Sequence, residues 1–578
     1  MILSNVEYIL KEIAMKYTKI SEMRYERIDK DAVIEQIKSI IEAIENAKSG
    51  SELLALRDEY NKLSENVGTM ARLASTRLNL NSRDEFYSGE MEYYNSALPE
   101  IQMYDLKFTK AFLSSPYLDE AKKELNPLVI TMYELSLKCA DERVLEEMQE
   151  ENKLTTEYSK FVSELTYDFR GEKLTLGALR RYMQDKDRRT RQEAYNALGR
   201  ALGANGEYLD NLYDKMVKIR DKMAKKLGYD SYVQLGYNLM QRTCYTKDDI
   251  KVFRDNVIAD LVPVISELKR KLAQRLSIEE MKLYDDATYS KNDPMPILDA
   301  EGILEAGKEM YHEMSPETAE FIDMMFESDA FDVLPREGKW TGGYMTFFPN
   351  YRQPFIFANF NGTTADVDVI THEAGHAFAY FIGRALMTPE LSLGGMETAE
   401  SHSMSMEFFA WKFIAKFFGD GATAYKYKHL FSALSFIPYG TMVDYFQELV
   451  YENPDMTPAE RNQLWKRLEG EFRPYMNADG IEYLENGTRW QYQNHIFQSP
   501  FYYIDYCLAQ VVAFEFLQLS LKDYDSALRT YIDHARRTGN YTFTDLIKMA
   551  GLTSPFEKGA LSQVASMCKE LLEKLGNV

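Results

Sequence analysis

The feature that most constrains this chain is a helical spacing of apolar residues that persists over long stretches. From about residue 28 to residue 165 the chain is rich in Glu, Lys, Leu, Ala and Met and poor in Pro and Gly, and apolar residues recur at steps of three and four, as in Ile34, Ile37, Ile41 and Ile44. Such spacing places apolar side chains on one face of an α-helix. Helical signals continue from Asp187 to about Arg275 and return beyond about residue 366, so we expect a mainly α protein of two or three subdomains.

One segment, between about residues 331 and 366, differs in character. Glycine pairs, β-branched and aromatic residues and an Asn361-Gly362 turn predict a small sheet of two or three strands there, and no other segment carries a comparable signal. An edge strand of this sheet can pair with an extended peptide, and Gly342 and Gly343 permit close backbone approach. Ordinary hairpin glycines explain the same pair equally well.

Charge and cysteine content narrow the classes of partner and compartment. The chain has 578 residues and a formal net charge of −22, which disfavours nucleic acid and anionic membrane surfaces. Its four cysteines include no close pair for a disulfide framework or a zinc ribbon, which predicts a reducing compartment. Met1 to Tyr17 lacks the pattern of a signal peptide, and no stretch approaches about 20 apolar residues. We therefore expect a cytoplasmic protein.

The chain has only seven histidines, and three of them lie between residues 372 and 402. His372-Glu373-x-x-His376 places two imidazoles four residues apart, so that on a helix both can reach one zinc ion. Glu373 lies one residue further round the helix, where it can activate a water molecule. The alternative is a pair of ordinary surface or core histidines.

The residues around this motif support a helix. Thr363 or Thr364 can cap its start, and an apolar face follows. That face comprises Val367, Ile370, Ala374, Phe378 and Phe381. Asp368 lies four residues before His372 and is a candidate to fix the orientation of its imidazole, although a capping or solvated aspartate is an equal interpretation.

A catalytic zinc site needs a third protein ligand and an open position. Glu397, Glu400 and Glu407 fall on one face of a later predicted helix that also carries Met and aromatic residues, so full solvation of these carboxylates is not expected. His402 points away from Glu400, and we interpret it as a hydrogen-bonded structural histidine.

These residues resemble a family. His372-Glu-Ala-Gly-His376, followed about 25 residues later by Glu400 and Glu407, is similar to the thimet oligopeptidase and oligoendopeptidase F family of zinc peptidases. The stretch from Ala399 to Phe408 looks most like the bacterial branch with the Pz-peptidases. The resemblance implies one zinc ion with Glu400 as third ligand and Glu407 in support. Glu397 is the fallback ligand.

A second match begins at His495. In the family, a histidine followed by tyrosines stabilises the tetrahedral intermediate, and the corresponding positions here are His495, Tyr503 and Tyr506. The segment between them is short and lacks the glycine-rich loop of the thimet branch, so Tyr502 and Tyr503 remain alternatives for the second donor. Tyrosines at helical spacing can also be simple core packing.

The resemblance is strong from about residue 330 to 510 and weak over the first 180 residues. It implies two helical halves around a deep substrate channel, with an N-terminal helical domain over residues 1–185 and a zinc peptidase domain over 186–578. It further implies hydrolysis of internal bonds in short, unstructured peptides.

Two other functions remain open at this point. A Taq-like metallocarboxypeptidase shares the helical fold and the zinc motif but releases single C-terminal residues. A non-catalytic peptide-binding protein would keep the motif without the chemistry. Neither oligomeric state nor cleavage preference can be predicted from these residues.

Overall fold

The structure is a computed structural model, and it describes residues 17–290, 293–391 and 394–576. The N-terminal segment that argues against a signal peptide lies outside these residues, except for Tyr17.

The first part of the chain forms the helices that its apolar spacing predicts. Asp29, Ser49 and Asp84 accept hydrogen bonds from backbone N–H groups at the starts of the first three, which satisfies donors that a helix leaves unpaired. The helices of this region are α1 (Lys30–Asn46), α2 (Gly50–Leu80), α3 (Glu85–Leu113), α4 (Leu118–Ala121), α5 (Pro127–Cys139) and α6 (Leu145–Glu164).

A short hairpin follows that the sequence did not predict. β1 (Tyr167–Phe169) pairs antiparallel with β2 (Glu172–Leu174), and the turn residues Arg170 and Gly171 have φ of 51° and 87°. Two consecutive positive φ values define a tight turn that is usually built from Asn-Gly or Asp-Gly. The expectation that β structure is confined to residues 331–366 is therefore wrong, because an Arg-Gly turn carries no such signal.

Eight helices lead from this hairpin to the small sheet. They are α7 (Leu176–Met183), α8 (Arg188–Ala204), α9 (Gly206–Leu227), α10 (Tyr232–Leu239), α11 (Lys247–Asn256), α12 (Val262–Leu276), α13 (Ala300–Met314) and α14 (Pro316–Glu327). A π-helical turn, Val257–Leu261, connects α11 to α12.

The predicted small sheet is present. It contains β3 (Phe331–Asp332), β4 (Tyr344–Phe348) and β5 (Gln353–Phe357) in the order β3-β5-β4. The central strand β5 pairs parallel with β3 and antiparallel with β4, and all five of its residues are buried. β4 is consequently an edge strand, and the sheet packs against the helix that follows it.

The rest of the described chain is helical, as expected. The elements are α15 (Thr364–Gly383), α16 (Met396–Phe409), α17 (Ala415–Phe418), α18 (Ala422–Glu452), α19 (Pro458–Phe472), α20 (Asn494–Gln498), α21 (Tyr503–Lys522), α22 (Tyr524–Arg536), α23 (Phe543–Met549) and α24 (Leu561–Leu575). α18 continues through Pro438, a residue that usually interrupts a helix. Two residues later a Cβ on Gly440 would lie 2.4 Å from Sγ of Cys507 in α21, so close packing stabilises this helix.

The chain packs as two compact units, each drawn from three stretches. The first contains the chain up to Leu137, Met295–Gly421 and Leu519–Leu552, and the second contains Lys138–Pro294, Ala422–Gln518 and Thr553–Val578. The small sheet, α15 and α16 belong to the first unit. Among the described residues only α21 has the length and composition of a membrane span, and 72% of its apolar window is buried, as in a core helix of a soluble protein.

Candidate metal centre

The helix that carries the candidate metal ligands begins where the sequence predicts. Thr363 is its cap residue, and the Asp366 carboxylate accepts hydrogen bonds from the backbone N–H groups of Asn361, Gly362 and Thr363 at 2.7, 2.6 and 3.2 Å. Gly362 has φ of 79°, a conformation that favours glycine. These three donors fix the start of α15, and with it the face on which both motif histidines lie.

α15 and α16 approach each other closely at Gly375. A Cβ at this position would lie 2.6 Å from Cα of Ser403 and 3.0 Å from Cβ of Met406, which is too close for packed atoms. The glycine within the histidine motif therefore sets the distance between the helices. It allows the acidic face of α16 to meet the histidine face of α15.

The three predicted metal ligands converge at this contact. Ligand atoms of His372, His376 and Glu400 all lie within 4.8 Å of one another. The two Nε2 atoms lie 3.4 and 3.5 Å from Oε2 of Glu400, and Ser403 Oγ donates a hydrogen bond to the same oxygen at 3.2 Å. Tetrahedral zinc with ligands at about 2.0–2.1 Å separates them by about 3.4 Å, so the donor set fits a zinc ion.

The carboxylates around the ligand histidines favour the binding of a cation. Burial raises the pKa of a carboxyl group, but hydrogen bonds from His372 and His376 outweigh it and hold the pKa of Glu400 below its usual range. Burial likewise disfavours a charged His372, yet Glu400 and Glu407 together raise its pKa well above the ordinary value. The acidic surroundings thus favour positive charge at this position.

Glu407 contacts His372 on the side away from the other ligands. Its Oε1 lies 2.6 Å from Nδ1 of His372, which leaves Nε2 directed at Glu400. A carboxylate on the second ring nitrogen fixes the orientation and tautomer of a ligand imidazole. The supporting role implied for Glu407 thus takes the form of this bond, and the role offered for Asp368 is filled by Glu407.

Glu373 lies beside the ligands without joining them. Its side chain is partly exposed, it is absent from the converging ligand set, and no described residue forms a hydrogen bond or ion pair with its carboxylate. A carboxylate in this state is free to accept a proton.

The other acidic and histidine candidates lie elsewhere. His402 is buried, and its Nε2 lies 2.6 Å from Oγ1 of Thr538. Burial lowers its pKa well below the ordinary value, so it is the neutral structural histidine that we expected. Glu397, the fallback ligand, is buried with its carboxylate against the backbone of Gly395, and it is not part of the converging set.

The second predicted group of residues clusters within the second unit. The ring of His495 lies 4.6 Å from that of Tyr503 and stacks at 5.6 Å on that of Tyr502, measured between centroids. The Tyr506 hydroxyl donates to the Tyr502 hydroxyl at 3.0 Å. The structure thus brings all four side chains together, and the choice between Tyr502 and Tyr503 stays open.

Two residues that the sequence did not single out orient His495. The Tyr439 hydroxyl donates to Oε1 of Gln493 at 2.6 Å, and Nε2 of the same Gln493 lies 3.2 Å from Nδ1 of His495. With Gln493 donating to Nδ1, the imidazole proton resides on Nε2. Burial lowers the pKa of His495, so this ring is neutral near pH 7.

A strained residue starts the tyrosine segment. Phe501 is buried and has φ of 67°, and its backbone N–H donates to Oε1 of Gln447 at 3.1 Å. Its carbonyl accepts a hydrogen bond from Arg242, which also pairs with Asp505 at 2.8 Å. Helix α21 consequently begins at Tyr503. Such a backbone conformation persists only where neighbouring residues stabilise it, and at Phe501 it sets the direction of the segment that carries Tyr502 and Tyr503.

The sheet edge that the sequence offered as a peptide-pairing surface belongs to β4. A Cβ on Gly342 would lie 1.8 Å from the Trp340 ring, so the contact with that ring requires this glycine. A Cβ on Gly343 would lie 3.5 Å from the carbonyl oxygen of Phe357. Packing against Trp340 thus accounts for Gly342, whereas the distance at Gly343 is an ordinary van der Waals contact that does not require glycine.

Comparisons with protein families and with solved structures give matches over most of the chain. Residues 20–140 match the Peptidase M3 N-terminal domain, and residues 181–565 match Peptidase family M3. No curated protein sequence matches the chain.

A solved structure of PZ peptidase A with an inhibitor has 38% sequence identity and a TM-score of 0.89, and the match covers 96% of this chain and 99% of that one. A Bacillus anthracis protein assigned as an oligoendopeptidase F has 36% identity and a TM-score of 0.84 over 97% and 99% of the two chains. Oligoendopeptidase F from Enterococcus faecium, at 14% identity and a TM-score of 0.62 over 95% and 98%, shares the fold.

Proposed function

Because this chain belongs to peptidase family M3, we propose that it cleaves internal bonds of short peptides with one zinc ion held by His372, His376 and Glu400. Family membership makes it an oligopeptidase of the metalloendopeptidase class. Support for the zinc assignment comes from the convergence of three ligand atoms within 4.8 Å. Three protein ligands leave an open position, as in catalytic zinc sites.

His372, His376 and Glu400 would hold a zinc ion, which would supply Lewis acidity to the scissile carbonyl and to water. The role of Glu373 is proton transfer. Its carboxylate accepts the proton of the attacking water and then donates it to the leaving amine. Its partial exposure and lack of a described hydrogen-bonding partner support this assignment.

The cluster around His495 supplies hydrogen-bond donors. Burial lowers the pKa of His495 and raises that of Tyr503, so both groups carry their protons as neutral donors near pH 7. Nε2–H of His495 and the Tyr503 hydroxyl are assigned to the negative oxygen that develops on the scissile carbonyl. Tyr506, whose hydroxyl donates to that of Tyr502, is assigned with them to binding this oxygen or positioning the substrate.

The edge of β4 is the proposed surface for an extended substrate backbone. Support comes from the sheet order, which leaves one side of β4 without a partner strand among the described residues. Main-chain hydrogen bonds to a strand edge do not depend on side-chain identity. A short unstructured peptide is the partner that this arrangement suits.

Two broader assignments complete the proposal. We place the boundary between the N-terminal helical domain and the peptidase domain near residue 185, supported by the start of the Peptidase family M3 match at residue 181. We place the protein in the cytoplasm, supported by four free cysteines.

The deciding experiment is Glu373→Gln assayed with an internally quenched peptide. We expect a full equivalent of bound zinc and a loss of cleavage of at least about 1,000-fold, because the variant keeps the ligands and loses the proton acceptor. Glu317→Gln is the matched control, since Glu317 lies in the first turn of α14 and outside the site. Near wild-type cleavage by zinc-loaded Glu373→Gln would refute the mechanism.

Mass-spectrometric mapping of products tests the mode of cleavage. Two fragments from each peptide support the endopeptidase, whereas stepwise release of single C-terminal residues supports the carboxypeptidase alternative. Protein that is purified without zinc, binds peptides and still does not cut them after zinc is added would support the non-catalytic alternative.

A further inference from the structure

The second unit contains a series of side chains of alternating charge that the proposed mechanism does not use. Lys269 Nζ lies 3.4 Å from Asp286, and Asp286 pairs with Arg473. Arg473 and Arg489 approach the same oxygen, Oε1 of Glu469, at 3.6 and 3.3 Å. This series of charged side chains therefore begins with the cation Lys269 and ends with the cation Arg489. Burial lowers the pKa of Lys269, whereas the two guanidinium groups remain charged.

Arg489 is the accessible end of this series. Its side chain is 18% exposed, compared with 3% for Arg473 and none for Lys269. Nη1 of Arg489 is its one nitrogen that approaches a described acceptor, so Nε and Nη2 have no partner among the described residues. Nε of Arg473 is also buried without an acceptor there. The buried Nε of Arg473 is unfavourable without an acceptor, whereas the partly exposed donors of Arg489 are available to a bound anion.

An aromatic ring holds the guanidinium in place. Cζ of Arg489 lies 4.5 Å from the centroid of the Tyr439 ring, and Cζ of Arg473 lies 5.2 Å from it. This cation–π contact orients the planar fork without occupying its in-plane donors. A fork with two free donors suits the two oxygens of a carboxylate.

The same tyrosine links Arg489 to the proposed catalytic donors. Its hydroxyl bonds Gln493, which contacts His495, and its ring lies 6.1 Å from that of Tyr503. Arg489 thus lies one side chain away from the residues assigned to the scissile carbonyl. A group bound by Arg489 would therefore lie near the peptide bond that those residues contact.

We propose that Arg489 binds a carboxylate of the peptide substrate, either its C-terminal carboxylate or the side chain of Asp or Glu. The inference rests on the proposed peptidase function and adds a specificity determinant to it. A carboxylate bound at a fixed place selects the peptide bond to be cleaved by its separation from that charge. Arg473 and Glu469 position the Arg489 fork.

Three matched internally quenched peptides test this proposal. They share one sequence and differ in ending as a free carboxylate, as an amide, or as an amide with one Gln replaced by Glu. For the wild type we expect kcat/KM to be roughly tenfold higher for at least one carboxylate peptide than for the plain amide, mainly through KM, as for a hydrogen-bonded charge pair. Preference for the free acid identifies the C-terminal carboxylate, and preference for the Glu peptide identifies a side chain.

The substitutions then locate the recognition. Arg489→Gln should remove the preference, so that the ratio of kcat/KM between the preferred peptide and the plain amide falls to unity, whereas Arg489→Lys should retain an intermediate ratio. Arg467→Gln is the control, because Arg467 also pairs with a glutamate on α19 but is 59% exposed. Equal wild-type rates on all three peptides, or full preference in Arg489→Gln, would overturn the proposal.

A binding measurement separates this inference from the proposed function. Calorimetry with a cleavage product, as its acid and as its amide, reports on the carboxylate site even if no peptide is hydrolysed. Tighter binding of the acid by the wild type supports the site, and equal affinity removes it. Chelator-sensitive cleavage of the plain amide reports separately on the peptidase function. If Arg489→Gln does not fold, by circular dichroism, the wild-type comparisons and Arg489→Lys decide the question.

Discussion

Nδ1 of His372 lies 2.6 Å from Oε1 of Glu407, so a carboxylate on α16 orients an imidazole on α15. This contact spans the same pair of helices that supplies all three candidate ligands. It makes the geometry of the metal centre depend on a residue that does not bind the metal.

Glu407→Gln is expected to weaken zinc binding by roughly 10- to 100-fold, the usual cost of losing such a partner. The amide retains the volume of the side chain but removes its negative charge. Competition between the protein and a zinc chelator measures the affinity directly. Glu309→Gln serves as the control, since Glu309 lies on α13 with an exposed side chain. Unchanged zinc affinity in Glu407→Gln would contradict the role of this bond.

Much of this centre can be predicted from the sequence, because a helix places residues four apart on one face. That rule identifies His372 and His376, and the resemblance selects Glu400. Helical spacing does not identify the partner of His372, since it points to Asp368, whereas the partner is Glu407 on the neighbouring helix. The direction of Nδ1 depends on how two helices pack, which local periodicity does not contain.

Local sequence patterns likewise predict only part of the fold. Apolar periodicity predicts the helices and the turn-rich segment predicts the small sheet, whereas the β1–β2 hairpin has a turn of unusual composition. Gln493 was missed because a polar residue in a loop carries no periodic signal, and Tyr439 because it is one of several aromatic residues within α18. The domain boundary near residue 185 stays a prediction.

Gly375→Ala should impair metal binding through packing alone. The added methyl group would lie 2.6 Å from Cα of Ser403, so α15 and α16 must separate. We expect weaker zinc affinity and a lower melting temperature, as for other overpacked sites, at a cost of about 1–3 kcal/mol. Gly68→Ala is the matched control, because its Cβ would meet only Arg72 at 3.6 Å within α2. The control should be neutral or stabilising by up to about 1 kcal/mol. Equal behaviour of the two variants would refute the argument.

Removal of the metal should lower stability as well as activity. A chelator is expected to abolish cleavage and lower the melting temperature, and added zinc should restore both, since a ligand of the native state stabilises it. Glu400→Gln keeps the hydrogen-bonding shape but weakens a ligand, so its melting temperature should respond to zinc only at higher concentration. Differential scanning fluorimetry over a zinc titration provides the measurement. A wild-type melting temperature that ignores zinc would argue against the site.

The alternatives Tyr502 and Tyr503 can be separated kinetically. Tyr503 is assigned as the donor, so Tyr503→Phe should lower kcat by roughly 100-fold with little change in KM, the pattern of a lost transition-state hydrogen bond. Tyr502→Phe should have a smaller effect, because Tyr502 is not assigned to the oxyanion and its loss removes only the acceptor of the Tyr506 hydroxyl. Steady-state kinetics on one peptide compares the two. A larger loss of kcat in Tyr502→Phe would exchange their roles.

Glu515 should make stability depend on pH. Its side chain is 8% exposed, and burial raises its pKa to about 7, although the Thr553 N–H donates to it at 3.0 Å. The unfolded carboxyl group titrates near its usual value of about 4.3. Between these values the native state retains a proton that the unfolded state has lost, so stability falls as pH rises from about 4.5 to about 7 and then stays level. The total loss is about 3 kcal/mol.

Glu515→Gln removes the ionisation and should melt at a higher temperature than the wild type at pH 8, with a smaller difference at pH 5. Glu570→Gln, at an exposed position of α24, should change neither value. Parallel wild-type and Glu515→Gln melting curves across this range would show that Glu515 titrates normally.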